Sequence, residues 1–180
     1  MATSRISFRM AQAFGVVGAA WLSGNIAALS LISVPALSRS QAQDSVQPGI
    51  LSKQWKYNYE AGKTQNPPVA VAVAASFSYL AWSVRSGTQL GRLAPAHSVQ
   101  LFSTAAILTI GIIPYTIIAM RPTNNKLLAK AEQEFDLKGA SASVTSDDRE
   151  VGELLKKWTF LNGIRSLMPL LGSAAALLAA

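Results

Sequence analysis

Four long apolar runs, separated by segments that hold most of the charge, confine this chain to helices packed in a membrane. The runs lie at about 12–37, 69–84, 96–120 and 158–179. A bilayer core offers no water to backbone groups, so a spanning segment must bond its own N–H and C=O groups, which a helix does. Charged residues make up 14% of the chain, against roughly 25% in a soluble domain. The expected fold is all-α: a four-helix transmembrane bundle forming a single membrane domain over 1–180.

The first run is rich in Gly, Ala and Ser, including Gly15, Gly18, Ser23 and Gly24. Small residues let membrane helices approach closely, within one chain or between two copies. Arg5 and Arg9 before this run resemble the start of a signal peptide. The run exceeds the usual apolar core of about 7–15 residues, so a retained span is expected. The second run is short and follows Pro67-Pro68. Pro114 in the third leaves the Ile110 carbonyl without its donor, which predicts a kink.

Trp55, Tyr59 and Gly62 are spaced i, i+4, i+7 in the first loop. This predicts a short amphipathic interfacial helix, stopped by Gly62 and the proline pair. The third loop reads as a polar helix over 124–137, with Thr123 or Asn124 as its N-cap. A flexible linker over 139–146 follows, then a charged helical lead into the fourth span, with capping-box spacing between Thr145 and Asp148.

Four spans put both termini on one side. That side carries Arg5, Arg9, Arg85 and Arg92; the other basic residues outside the spans, from Arg39 to Lys157, lie opposite. The positive-inside rule then places the first and third loops in the cytoplasm. The net charge of +7 serves topology on this reading. The basic residues form no dense patch, which argues against a nucleic-acid partner. With no cysteine, disulfide and thiolate chemistry are excluded.

The fourth run contains an arginine. A charged side chain at mid-membrane costs roughly 3 kcal/mol on insertion scales and is expected to face protein or a polar cavity. Trp158, Asn162 and Arg165 are spaced i, i+4, i+7 and share one helix face. Arg165 lies about 10 Å below Trp158, at 1.5 Å per residue. The topology brings Trp55 and Tyr59 to the same side, together with Tyr115, Thr123 and Asn124. Each has a simpler role available, as aromatic anchor, helix cap or interhelical amide. Their convergence on one face points to a cavity. His97, the only histidine, falls on the opposite side. No Asp or Glu lies inside a span, so no metal or haem ligand set is expected.

Five ordered motifs carry a resemblance. They are Ser-x-x-Ser-Val-Pro-Ala-Leu over 30–37, Trp-x-x-x-Tyr-x-x-Gly over 55–62 and Pro-Tyr-Thr over 114–116. Met-x-Pro-Thr-Asn-x-x-Leu follows over 120–127, then Trp-x-x-x-Asn-x-x-Arg over 158–165. Together, over roughly 15–172, they resemble the anthrone oxygenases, small four-span membrane proteins of aromatic polyketide pathways. The resemblance implies oxidation of an anthrone to an anthraquinone by molecular oxygen, without an identified flavin, haem or metal. It implies membrane lipids as surroundings and, for a eukaryotic protein of this kind, the endoplasmic reticulum.

Under that resemblance Arg165 is the candidate clamp for the anthranolate oxygen, with Asn162 as second donor. Trp55, Trp158, Tyr59 and Tyr115 would stack on the flat tricycle, and Thr123 and Asn124 would bind substrate. Tyr59, Tyr115 or a substrate phenolate would take the proton. The alternative is a non-catalytic scaffold or lipid-binding bundle serving pathway enzymes.

Overall fold

The computed structural model describes residues 2–132 and 141–179. Among the described residues the secondary structure is helical, with no strand, and it gathers into four rods. The first joins α1 (Ala2–Ala28) to α2 (Val34–Asp44) through a π turn at Leu29–Ser33. The second is α3 (Pro48–Ser83). The third joins α4 (Ser98–Ile110), α5 (Ile112–Tyr115), a π turn at Thr116–Met120 and α6 (Arg121–Glu132). The fourth is α7 (Ser141–Leu178). Among the described residues, three helices are long and apolar enough to cross a membrane: Arg5–Asp44, Ser98–Glu132 and Arg149–Leu178. The expected second span forms the C-terminal part of α3, which does not meet that measure.

Prolines shape the rods without ending them. Both π turns precede a proline by one residue. Pro35 has no N–H for the Leu31 carbonyl, and Pro122 none for that of Ile118. Those carbonyls belong to the middle residues of the two turns, where the helix widens; at the first, the Val34 N–H bonds the Leu29 carbonyl. At Gly111, next to the Ile110 carbonyl that Pro114 leaves without a donor, α4 gives way to α5.

Several expected boundaries differ. The interfacial helix and second span are one helix, because α3 runs through Gly62, Pro67 and Pro68. Neighbouring helices and side chains can satisfy backbone groups that prolines release; here Asn66 is tied to the first rod by the Asn25 Nδ2 donor, at 2.8 Å. Thr123 and Asn124 do not cap a new helix, since the chain is already helical from the π turn. The end of the polar helix, over 133–137, and the first two linker residues lie outside the described residues. From Ser141 the linker is helical, so Thr145 and Asp148 fall inside α7.

The first and last described segments of the chain meet at the end of the molecule that carries the 84–97 loop. The Phe8 and Phe102 rings meet edge-on at 6.1 Å, and the Ser98 hydroxyl donates to the Ala179 carbonyl at 2.9 Å. The core forms three clusters along the rods. Val73, Phe77, Phe102 and Ala176 fill the terminal end. Leu22, Ile26, Ala70 and Ile112 occupy the middle. Trp55, Met120, Leu127, Leu155 and Trp158 fill the far end.

Two glycines set the contact between the first and second rods. A Cβ at Gly15 would lie 2.6 Å from the Phe77 ring, and one at Gly18 would lie 2.5 Å from Val73. The small residues of the first span therefore serve close packing within the chain. Hydrogen bonds join the first rod to α7. Ser173 donates to the Val16 carbonyl at 3.1 Å, Ser23 to the Ser166 carbonyl at 2.8 Å, and Ser30 to the Thr159 carbonyl at 3.1 Å.

Candidate functional site

Between the middle and far-end clusters the rods enclose a cavity of about 490 Å³, within the usual range for small-molecule sites. Every rod contributes. Leu29 comes from the first π turn; Tyr59, Gly62, Lys63, Asn66 and Pro67 from α3. Ile112, Ile113, Thr116, Ile117, Arg121, Asn124, Asn125 and Leu128 come from the third rod, and Trp158 and Arg165 from α7. The wall is mainly aliphatic and aromatic, with the polar groups set into it.

Arg165 is the polar centre. Its Nη1 donates to Thr116 Oγ1 at 3.0 Å, and Thr116 is the residue at which the second π turn begins. The Arg165 Nε is buried and has no hydrogen-bond partner. Pro169, four residues on, has no N–H for the Arg165 backbone carbonyl. Asn66 is also buried, at 3% exposure. Its Oδ1 accepts from Asn25, and its Nδ2 is unpartnered. Two buried donors thus line one apolar cavity and lack acceptors, a costly arrangement unless a ligand supplies them.

The aromatic wall is built in two layers. Trp55 is fully buried and stacks on Tyr59, with centroids 5.1 Å apart and planes 12° apart. It also meets Trp158 edge-on at 5.7 Å and 87°. Tyr59 and Trp158 line the cavity; Trp55 braces them from behind. Asn124 Oδ1 accepts from Trp158 Nε1 at 2.9 Å, fixing the indole.

Of the residues singled out in the sequence, Arg165, Tyr59, Trp158 and Asn124 line the cavity, while Trp55, Asn162, Tyr115 and Thr123 stand outside its lining. Asn162 is fully buried between α7 and the first rod. Its Nδ2 donates to the Ile26 carbonyl and to Ser30 Oγ, each at 2.8 Å. The Tyr115 hydroxyl donates to the Leu161 carbonyl at 3.2 Å. Thr123 is buried beside Asn124 in α6. His97 is exposed at the terminal end, in a left-handed conformation (φ 73°) before α4.

Asn66, Thr116, Lys63 and Arg121 emerge as lining residues that the sequence did not single out for chemistry. A signal existed for Asn66: Tyr59, Gly62 or Lys63, and Asn66 follow helical spacing. Ending the interfacial helix at Gly62 hid it. Among the described residues the lining holds no carboxylate, histidine or cysteine. Among the described residues no three His, Cys, Asp or Glu side chains gather as a metal site would require.

A sequence model of the family described as anthrone oxygenase matches residues 55–175. The chain is 38% identical to anthrone oxygenase encC of Aspergillus fumigatus over 92% of its own length and 89% of that protein. It is 35% identical to anthrone oxygenase AgnL2 of Paecilomyces divaricatus, over 93% of each. With the noranthrone monooxygenase of Aspergillus flavus the identity is 31%, over 97% of this chain and 78% of that protein. No solved structure matches significantly.

Proposed function

The chain belongs to the anthrone oxygenase family, and from that premise we propose that it oxidises an anthrone to an anthraquinone with molecular oxygen in the cavity around Arg165. The reaction converts the ring methylene to a carbonyl. One oxygen atom of O2 enters the product, and the other leaves as water with the two methylene hydrogens. Loss of a methylene proton gives an anthranolate whose charge rests on the carbonyl oxygen. That electron-rich anion passes an electron to O2; recombination and loss of water give the quinone. The protein's part is to make and hold the anion.

The observation that carries this reading is a guanidinium in an apolar cavity with Thr116 as its side-chain partner and its Nε free. A preorganised donor in a low-dielectric site stabilises a developing oxyanion most strongly. Arg165 is the proposed clamp. Tyr59 and Trp158 offer flat faces to the tricycle, and Asn124 holds the indole. Asn162 positions α7 against the first rod, and Trp55 braces the two lining rings. Tyr115 and Thr123 shape the wall from behind. Tyr59 is the proposed acceptor of the proton, directly or through a phenolate of the substrate. Its hydroxyl makes no hydrogen bond with the described residues, whereas that of Tyr115 is engaged. No cofactor is invoked, because the substrate anion itself supplies electrons to O2.

We further propose that 1–180 form one membrane domain with four spans, that of α3 included, in the endoplasmic reticulum with the first and third loops cytoplasmic. Ile117 lines the cavity yet is 56% exposed, so the wall reaches the apolar outer surface. Substrate and O2, both concentrated in hydrocarbon, would enter there from the lipids. Purified protein in detergent, given an anthrone in air, should form quinone faster than the spontaneous background. No acceleration with several anthrones would leave the scaffold reading instead.

A further inference from the structure

The reaction as drawn gives a part to Trp55 and Tyr59 but none to Gly62, the third residue of their motif. Gly62 lies inside α3 and lines the cavity, although alanine would make the better helix there. Asn66, one turn on, lines the same cavity. A Cβ at Gly62 would lie 3.4 Å from the Asn66 Nδ2, close to where a bonded acceptor oxygen would sit. The bare glycine leaves that nitrogen uncovered. Asn66 is buried and its Nδ2 has no partner. Asn25 on the first rod sets the amide's orientation. Its Nδ2 donates to the Asn66 Oδ1 at 2.8 Å, which leaves the donor as the free end. Asn66 also stands opposite Arg165. α1 and α4 each pack against both α3 and α7, which puts α3 and α7 on a diagonal of the bundle. Along α1, Asn25 bonds Asn66, while Ser23 bonds the Ser166 carbonyl and the Ile26 carbonyl accepts from Asn162. Asn66 and Arg165 are thus level with one short stretch of α1. The cavity has a cation on one wall and a neutral amide donor on the wall across from it.

An anthrone has two reacting positions, opposite one another on the middle ring: the carbonyl oxygen and the methylene carbon. Arg165 holds the first. We propose that Asn66 serves the second: its Nδ2 donates to dioxygen as the anthranolate reduces it, and to the peroxide that follows, with Asn25 and Gly62 as positioning residues. Electron transfer from the anion gives superoxide and a ring radical. They combine in a C–O bond at the former methylene carbon, and the negative charge passes to the outer oxygen. The proton removed first returns to that oxygen. The remaining hydrogen leaves the carbon as a proton, and C=O forms as the O–O bond breaks. The departing hydroxide joins that proton as water. Charge develops on oxygen in the first two steps, where a preorganised donor is most effective. The product quinone keeps an oxygen at this position and the anthrone has none, so the Asn66 amide distinguishes the two. This rests on the oxygenase reading and names a further catalytic residue for it.

The test follows oxygen dependence and ligand binding in the same purified proteins. Asn66→Leu should lower kcat/KM for O2 by roughly 10- to 10²-fold, the scale of a hydrogen bond to a charged oxygen, with KM for the anthrone nearly unchanged. Tryptophan quenching under nitrogen should show an anthraquinone bound roughly two- to tenfold more weakly than by the parent, and the corresponding anthrone bound equally. Gly62→Ala covers the donor without removing it. It should show both losses in smaller measure while melting no lower than the parent, since alanine favours the helix. Asn25→Leu frees the amide to turn and should also weaken quinone more than anthrone, a selectivity that a merely looser bundle would not produce. Should Asn66→Leu fail to fold, the Gly62 and Asn25 variants decide the matter. Folded variants that keep the parent's oxygen dependence and quinone affinity overturn the proposal while leaving the oxygenase reading intact. Equal weakening of anthrone and quinone also overturns it, since the amide would then serve a part that both share. A parent that accelerates no anthrone, yet loses quinone affinity selectively in Asn66→Leu, overturns the oxygenase reading instead.

Discussion

At the residue scale, one helix face divides its labour. Trp158, Asn162 and Arg165 share a stripe, but Asn162 and Arg165 point about 60° apart around the axis at 3.6 residues per turn. That difference turns Asn162 onto the first rod and Arg165 into the cavity. Spacing announced a common face; it carried no information on which neighbour stood opposite each residue. The two tyrosines were likewise indistinguishable in sequence. Tyr59→Phe should slow anthrone oxidation by roughly 10²-fold if the Tyr59 oxygen, as phenolate, takes the proton. Tyr115→Phe loses a bond to a backbone carbonyl and should cost no more than a few-fold. Initial rates of quinone formation separate the two. His97→Ala, at the terminal end, should oxidise anthrone as the parent does; an inactive, well-folded variant would contradict the placement of the site.

At the element scale, the rods are held by close glycine contacts and by polar groups reaching across. Gly18→Val would drive a branched side chain into Val73 and should cost about 1–3 kcal/mol, as overpacking does. A lowered melting temperature in detergent would register it. Asn162→Leu should cost roughly 1 kcal/mol, the scale of an interhelical hydrogen bond in membrane proteins, in the same melt. The apolar runs and the glycine-rich first span were legible because hydropathy and residue size are local properties. The ends of the rods were not. Pro67 and Pro68 read as a stop, but packing against the first rod carries the helix through them, and that contact lies far away in sequence. The π turns were hidden for a related reason: Pro35 and Pro122 announce a lost donor without saying how the chain absorbs it. Pro122→Ala would return a donor to the Ile118 carbonyl and favour an ordinary turn. Thr116 would then rotate away from Arg165, so activity should fall several-fold while the melting temperature holds or rises.

At the scale of the whole molecule, the four rods leave the first and last described segments at one pole and the cavity toward the other. The proposed orientation makes the cavity pole cytoplasmic. The chain has no cysteine, so single cysteines report cleanly. A cysteine at Lys126 should react with an impermeant thiol reagent from the cytoplasmic side of intact microsomes, and one at His97 only after the membrane is opened. The reverse pattern would invert the topology. The far ends of the rods bring together aromatic, amide and cationic groups from segments distant in sequence, so the central claim concerns one cavity and its guanidinium. Its most direct test is aerobic quinone formation by purified parent, Arg165→Lys and Arg165→Met, each corrected for spontaneous oxidation and each shown to be folded. The parent should exceed the background. Arg165→Met should lose roughly 10²–10³-fold of that acceleration, as loss of an oxyanion donor does, and Arg165→Lys should fall between. Folded Arg165 variants that oxidise anthrone as fast as the parent would contradict the account.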